Sequence, residues 1–484
     1  MRIRIPPALA IVCAVGALLR FSTLGVQSLW YDEAITAQLL RMDLGGLLRA
    51  IPDSESSPPL YYVLAWCWTH VFGTGEVGMR SLSALLGTAT IAAVWALGRR
   101  LGGKRAALIA AALVAFNPML VWFSQEARAY ALLALLATVT ALLWLRTLAQ
   151  PKARYAAAWG LAAALTLATH YYAIFLVGPM ALWLLVRLAG TRVRVAALAP
   201  VAVALLVLAP LALGQRANNN AVFIGESSLL TRTVQVPKQL LVGYDAPGET
   251  VLAVLSGLAL VIAVAGVIRI LRSPAPSDTA PLAAVTAAAL VLPLLAALAG
   301  EDHLITRNLL AAAPLGGALA GAGLAAAARA PTRPWLGWSA ITAGCVLGLV
   351  TVVGVNSHAA SQRDDWRAAA AALGVGPPGR IVVAPGTGLI ALGYYVDGLK
   401  PAPAGPRPVS EIDFLDLPER RPGALTAPHP AQAPPPIPGF AIAARTDGET
   451  FAVVRLVSPA AQSIDPAMLT RGLDGGPAAV LITP

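Results

Sequence analysis

Charge is scarce in this sequence. Of 484 residues only 12% are Asp, Glu, Lys or Arg, about half the share found in a soluble globule. In contrast 57% are hydrophobic, and the mean hydropathy is +0.70. Such a composition points to an integral membrane protein and excludes a solvated coil over most of the length. Cysteine is scarcer still. Cys13, Cys67 and Cys345 are the only three, which excludes a disulfide scaffold, and two of them lie in apolar runs where a thiol packs as a small hydrophobe. HExxH and CxxC spacings are missing, as are a Walker phosphate loop and a dinucleotide-type glycine fingerprint, so an ATP-driven pump is disfavoured. No internal repeat has a solenoid or propeller period.

What is present is a succession of apolar runs. A helix of roughly 18 or more mostly apolar residues crosses about 30 Å of hydrocarbon. Such runs predict about eleven transmembrane helices, at 5–26, 79–98, 106–124, 129–146, 155–169, 172–188, 195–213, 251–270, 280–299, 305–328 and 335–355. With the N-terminus in the cytoplasm, the cytoplasmic connections hold sixteen cations, Arg2 and Arg4 among them, against one acid, Asp278. The opposite connections hold nine cations and twelve acids, and the tail beyond 355 holds ten and eleven. This is the positive-inside asymmetry. It predicts a multi-pass protein of the cell (plasma) membrane with a cytoplasmic N-terminus and, the spans being odd in number, an extracytoplasmic tail. The net charge of +11 then reports topology and anionic-lipid contact rather than nucleic-acid binding. The opening segment is built like a signal peptide but lacks a small-residue cleavage site, so it reads as the first helix.

The expected fold is an all-α polytopic membrane protein with interfacial helices in its first outer loop and a small C-terminal α/β extracytoplasmic domain. The domain division is 1–355 and 356–484. In the first outer loop, 27–78, the segment 34–50 reads as one interfacial helix, with Ile35, Leu39, Met42 and Leu47 near one face. Pro58 and Pro59 then break the chain before an aromatic run at 60–72 carrying Tyr61, Tyr62, Trp66 and Trp68. A loop at 214–250 holds Asn218, Asn219 and Asn220 ahead of a second interfacial segment. In the tail, alternation at 380–384, 440–444 and 451–456 predicts strands, 364–373 and 388–396 read as helical, and the proline-rich 401–438 reads as an irregular loop.

Acids being few, their positions are informative. Trp30-Tyr31-Asp32-Glu33 follows the first span on its outer side. An apolar surround raises carboxyl pKa values and makes the ionised carboxylate a better base; the plainer reading is a helix cap. A second cluster, Trp122-Phe123-Ser124-Gln125-Glu126-Ala127-Arg128-Ala129-Tyr130, lies at the same level. Glu126 and Arg128, two residues apart, cannot share a helix face and so point at different partners. Arg128 suits a phosphate because its planar fork matches phosphate oxygens; the alternative is a polar loop held by its own ion pairs. Two further outer turns carry His170-Tyr171-Tyr172 and Glu301-Asp302-His303 through Thr306-Arg307-Asn308. A lone histidine is most often structural, whereas Arg307 at the mouth of a span meets either lipid headgroups or a substrate phosphate. Asp32, Glu33 and Glu301 could hold a divalent cation, but nothing in the linear order gathers them, so no metal ligands and no certain cofactor are assigned.

These segments together resemble the type C membrane glycosyltransferases, specifically glycosyltransferase family 39, the dolichyl-phosphate-mannose protein mannosyltransferase-like group. The resemblance covers about residues 10–395. It is carried by Leu29-Trp30-Tyr31-Asp32-Glu33-Ala34, Glu55-Ser56-Ser57-Pro58-Pro59-Leu60-Tyr61-Tyr62, Arg80 to Leu85, the 122–130 cluster, Thr169 to Tyr172 and Thr306 to Leu309. It implies a polyprenyl-phosphate sugar as donor, mannose-like or pentose-like, a protein, lipid or glycan hydroxyl as acceptor, and inversion at the anomeric carbon on the outer face of the membrane. Membrane lipids are the other expected partner; nucleic acid is not one. By resemblance Asp32 is the base, with Glu33 assisting, and Tyr31, Tyr61, Glu126, Arg128, Tyr130, His170, Tyr171, Tyr172 and Arg307 bind substrate. Asn308 departs from the family, many of whose members have an aromatic residue there. The competing class is a transporter or flippase of lipid-linked sugars, but such proteins place their sites near the bilayer midplane between paired repeats, and neither feature is seen. The Ala, Gly, Pro and Arg content suggests a GC-rich bacterial source, and the resemblance implies a cell-envelope role.

Overall fold

A computed structural model describes residues 6–218, 222–274, 277–417, 434, 436–469 and 478–483. Arg2, Arg4, the first residue of the opening run, Asn219, Asn220 and part of the proline-rich segment, 418–433 and 435, lie outside the described residues. The chain forms two compact units. One comprises Met1–Leu24 with Leu39–Gly354, the other Gly25–Gln38 with Val355–Pro484. The second thus takes in a piece of the first loop that the sequence reading left with the membrane domain.

The first unit is helical. Among the described residues seven helices are long and apolar enough to cross a membrane: Glu76–Phe116, Tyr130–Ala149, Thr191–Ala217, Glu249–Leu271, Thr279–Leu298, Thr306–Ala327 and Pro334–Ser357. Shorter apolar helices stand at Pro7–Phe21 and Tyr171–Arg187, and a further 15-residue helix at Ala153–Leu167. The 41-residue element Glu76–Phe116 is two helices, because Gly102 and Gly103 leave helical geometry, Gly103 at φ +77. A Cβ on Gly98 would lie 3.0 Å from the Cα of Ala107. Nine residues of straight helix would separate these positions by about 13 Å, so the two arms fold back on each other. Counted as two arms, the eleven apolar runs are all helical.

One run is interrupted. The second arm ends at Phe116, and Asn117 turns the chain; its side chain accepts the amide of Leu120 at 2.9 Å and starts a new helix, Pro118–Ser124, with proline in the first turn. Arg20 of the first helix closes this corner. Its guanidinium donates to the carbonyls of Gly16, Ala115 and Val114 at 2.9, 3.1 and 3.2 Å and to Ser124 Oγ at 3.2 Å. A buried cation is thereby placed on carbonyls at a helix C-terminus, where the backbone dipole favours it. Glycines let other helices meet backbone to backbone. A Cβ on Gly266 would fall 2.0 Å from the Gly323 carbonyl oxygen, and one on Gly323 2.1 Å from that of Ala263, the small-residue contact typical of helices in lipid.

The first loop corrects the sequence reading at one point. The segment 34–50 is not one helix but parts of two, Tyr31–Leu40 and Leu44–Ser54. Asp43 separates them, its carboxylate accepting the Gly46 amide and capping the second. Pro58 and Pro59 precede the aromatic helix Leu60–Phe72. The loop after Ala217 contains the helix Leu229–Val242, capped by Ser228.

In the second unit the strands are β1 (Ile381–Pro385), β2 (Lys400–Pro401), β3 (Arg407–Asp416), β4 (Ala441–Asp447), β5 (Ala452–Ile464) and β6 (Ala478–Ile482). They form one sheet in the order β2-β6-β1-β3-β5-β4. β1 runs parallel to β3, and the other pairs are antiparallel. Strand alternation gives the sheet two apolar faces: Val382 and Ala384 pack with Trp366 and Leu373, while Ile381 and Val383 pack with Ile412 and Leu456. β3 falls where an irregular proline-rich loop was expected. Its Asp413 is fully buried and accepts from Arg380 at 3.1 Å and from Arg455 at 2.9 Å, which fixes a strand that the flanking prolines conceal.

Candidate functional site

The turn between Pro118–Ser124 and Tyr130–Ala149 is a polar junction built on apolar helices. Gln125 Nε2 donates to the carbonyls of Leu19 and Arg20 at 3.0 and 3.3 Å, tying the turn to the end of the first helix. Trp122 Nε1 donates to Glu126 at 2.7 Å. Arg128 turns the other way and reaches Glu55, its Nη1 donating to both carboxylate oxygens at 2.8 and 2.9 Å. Glu126 and Arg128 thus have separate partners, as their spacing requires. Both members of the ion pair are buried, with Arg128 7% and Glu55 3% exposed. Beside them the Tyr62 ring lies 5.8 Å from the guanidinium carbon. Its hydroxyl is buried beside this pair. Burial holds the Tyr62 phenol well above its ordinary pKa; Arg128 opposes the rise and Glu55 adds to it.

His170 stands next to this pair. The helix Ala153–Leu167 ends before it, the backbone at His170 is extended, and Nδ1 accepts the Tyr172 amide at 3.2 Å to cap the short turn that follows. The imidazole sits 5.9 Å from the Tyr130 ring and 6.1 Å from the Tyr172 ring, and Tyr172 is 6.3 Å from His303. Burial first, then the positive charges of Arg307 and Arg128, push the His170 pKa down to about 3. The ring is therefore neutral at pH 7. With Nδ1 accepting, its proton resides on Nε2, which leaves a donor without a formal charge.

Arg307 opens the helical stretch after the 301–305 turn and lies 5.4 Å from the Phe223 ring. That turn is strapped from outside. Arg232 holds Asp302 at 2.7 Å and the Leu304 carbonyl at 2.9 Å, and Asn308 Nδ2 donates to the His303 carbonyl at 2.8 Å. The hydrogen bond from Arg232 lowers the Asp302 pKa. Glu301 pairs with Arg216 at 2.9 Å on the surface.

Of the residues singled out in the sequence, the first unit brings Arg128, Tyr130, His170, Tyr172 and Arg307 into one neighbourhood. Tyr171 is turned elsewhere. Its hydroxyl donates to Gln215 Oε1 at 2.8 Å, and Gln215 Nε2 donates to the carbonyls of Ile51 and Ser57 at 3.1 and 3.3 Å, so it braces the segment that carries Glu55. Tyr61 is wholly buried with its hydroxyl 3.0 Å from Ser83 Oγ. Tyr31, Asp32 and Glu33 belong to the second unit, in the first turn of Tyr31–Leu40; Glu33 is buried, Asp32 is half-buried, and Thr36 Oγ1 donates to the Asp32 carbonyl at 3.0 Å. The residue missed as a site member is Glu55. Its signal was present: in a chain so poor in acids, a buried arginine calls for a carboxylate, and Glu55 opens a quoted motif. Among the described residues no three His, Cys, Asp or Glu side chains gather as a metal site.

Residues 56–213 match the family model described as dolichyl-phosphate-mannose-protein mannosyltransferase. No curated protein matches the sequence. Among solved structures the chain is similar to ArnT from Cupriavidus metallidurans in the apo state, with TM-score 0.56 and 14% identity over 92% of this chain and 97% of that one. The same protein bound to undecaprenyl phosphate gives TM-score 0.54 at 13% identity with the same coverage. The Archaeoglobus fulgidus oligosaccharyltransferase in its apo form gives TM-score 0.51 at 14% identity, over 77% of this chain and 58% of that one. The stretch matched by the dolichyl-phosphate-mannose-protein mannosyltransferase model takes in Arg128 and His170, and the likeness to the solved structures, at 13–14% identity, is one of fold.

Proposed function

We propose that this chain transfers a mannose-like or pentose-like sugar from a polyprenyl-phosphate donor to an acceptor hydroxyl at the outer face of the plasma membrane, with inversion at the anomeric carbon. The observation that carries the reading is the buried His170 imidazole, 5.9 Å from the Tyr130 ring and 6.1 Å from the Tyr172 ring, on which the charges of Arg307 and Arg128 both act. The named groups around it are four arginines, Arg128, Arg216, Arg232 and Arg307, and three acids, Glu55, Asp302 and Glu301, each acid paired with one of the first three. Among these the Arg307 guanidinium suits a phosphate, its planar fork matching the phosphate oxygens. The family description names a dolichyl-phosphate sugar, and the similar ArnT structure is bound to undecaprenyl phosphate; both support a polyprenyl donor.

Within this reading Arg307 meets the donor phosphate and the His170 Nε2–H adds a neutral donor to its oxygens. Arg128, fixed by Glu55, holds the wall beside them. Asp32 takes the role of base, as the sequence motif implies. The acceptor oxygen forms its bond to the anomeric carbon, the bond from that carbon to the phosphate oxygen breaks with its electron pair going to the phosphate, and the acceptor proton passes to the Asp32 carboxylate. The charge gathering on the phosphate in the transition state strengthens its contacts to the cation, which is the differential binding that lowers a barrier.

The test is incubation of the purified protein with short-chain polyprenyl-phosphate sugars and an acceptor alcohol, following release of polyprenyl phosphate. Asp32→Asn is expected to cut release to a small residual rate while donor binding stays within about twofold of wild type. Unchanged turnover in Asp32→Asn removes that residue from the role. Movement of intact donor across a bilayer without phosphate release supports the transporter instead.

A further inference from the structure

The stretch immediately before the Asp32 helix is not a free loop but part of the second unit. Ser28, 2% exposed, donates from its hydroxyl to the Asp364 carbonyl at 2.8 Å and accepts the Trp366 amide at 3.0 Å. The amide of Leu29, itself fully buried, donates to the Tyr395 hydroxyl at 2.7 Å. The Arg363 guanidinium covers the Trp30 ring at 3.9 Å, and the Arg363 amide donates to Gln27 Oε1 at 3.1 Å. Arg367 donates to the carbonyls of Gly25 and Gln27 at 3.2 Å. Every residue from Gln27 to Trp30 therefore has a partner between 363 and 395. The helix starts on the next residue, with the Ala34 amide donating to the Trp30 carbonyl at 2.9 Å. The helix therefore starts directly from residues held by the tail.

We propose that Tyr395 and Ser28 are positioning residues for the transfer reaction: through them the C-terminal unit sets the start of the Tyr31–Leu40 helix and so the place of Asp32. The two residues act by different bonds. Tyr395 gives the buried Leu29 amide an acceptor, and loss of that acceptor leaves a donor stranded away from water. Ser28 bridges the carbonyl and amide that flank the start of the Trp366–Leu373 helix, so the first loop and the tail helix share one hydroxyl. The proposal rests on the reading of Asp32 as the base.

Its test uses the full-length protein in lipid nanodiscs. Tyr395→Phe keeps the ring and its edge contact with Tyr394 at 4.9 Å while deleting the acceptor, and Ser28→Ala deletes the bridge. Each is expected to lower kcat about tenfold with the donor KM within twofold of wild type. Each is also expected to raise amide hydrogen exchange in 28–34 and leave β3 at 407–416 unchanged, which separates local release from loss of the tail fold. In an Asp32→Asn background neither variant should lower the residual turnover further, because a defect acting through Asp32 has nothing left to misplace. Wild-type kcat in both variants, unchanged exchange at 28–34, or an undiminished tenfold loss on top of Asp32→Asn overturns the proposal. If wild-type protein itself releases no polyprenyl phosphate, the transferase reading falls first, and the exchange data alone decide whether 28–34 depends on Tyr395 and Ser28.

Discussion

Arg128 and Arg307 are both guanidiniums at the edge of an apolar bundle, yet their surroundings give them different tasks. Arg128 holds both oxygens of a buried carboxylate, and a pair of that kind is hard to break from one side. Removing one partner of a buried pair costs about 3–5 kcal/mol because it strands the other charge. Glu55→Gln is therefore expected to lower the thermal midpoint sharply, and Glu55→Gln combined with Arg128→Met to recover part of the loss; equal midpoints for single and double variants would show that the pair does not act as a unit. His170 gives a pH dependence. Its folded pKa, about 3, lies below the value near 6.5 of an exposed imidazole. As pH falls through 6.5 the unfolded chain takes up a proton that the folded chain refuses, so stability is lost on acidification, by about 2 kcal/mol at pH 5 from this group. His170→Asn retains a cap for the Tyr172 amide and is expected to lose that much less between pH 7 and pH 5 in denaturation experiments. At this scale part was legible in the sequence: scarcity of charge drew attention to Arg128 and Arg307, and the family resemblance to His170. Glu55 was marked only by the scarcity of acids and its place at the head of the Glu55-to-Tyr62 motif, since its partner lies 73 positions away and no local pattern links them.

Among the helices, the glycines mark where packing is tightest. A side chain at Gly323 would meet the Ala263 carbonyl oxygen at 2.1 Å, whereas at Gly257, on a helix that packs against it, a Cβ meets nothing within 4 Å. Gly323→Val is expected to reduce the yield of folded protein and to destabilise it by about 1–3 kcal/mol or more, with Gly257→Val close to wild type; comparable melting in detergent for both would contradict this backbone contact. Apolar periodicity located all eleven runs because length and hydropathy alone decide whether a helix suits a bilayer. It failed where a single polar side chain overrules the periodic pattern. Asn117 ends one run and starts another by capping, and Asp43 divides 34–50 in the same way. β3 was hidden for the opposite reason. Prolines at 401, 403, 406 and 408 signal a loop, while the strand is specified by Asp413 meeting Arg380 and Arg455 from outside the segment.

For the molecule as a whole, the bias of sixteen cations to one acid across alternate connections argues for a cytoplasmic N-terminus. In a variant free of the three native cysteines, Glu449→Cys is expected to react with a membrane-impermeant maleimide in intact cells, and Ser273→Cys only after permeabilisation. The reverse pattern would invert the topology and move the proposed chemistry to the cytoplasm. The division of the chain into Gly25–Gln38 with Val355–Pro484 has a further bearing, on synthesis. Residues 27–30 leave the ribosome long before 363–395, and at about 5–20 residues per second the delay is on the order of tens of seconds. Throughout that interval the opening loop is made but its hydrogen-bonding partners do not yet exist. A nascent chain halted near 355 would thus carry every apolar run together with an unanchored Trp30-Tyr31-Asp32-Glu33, and the last quarter of translation is what completes the beginning.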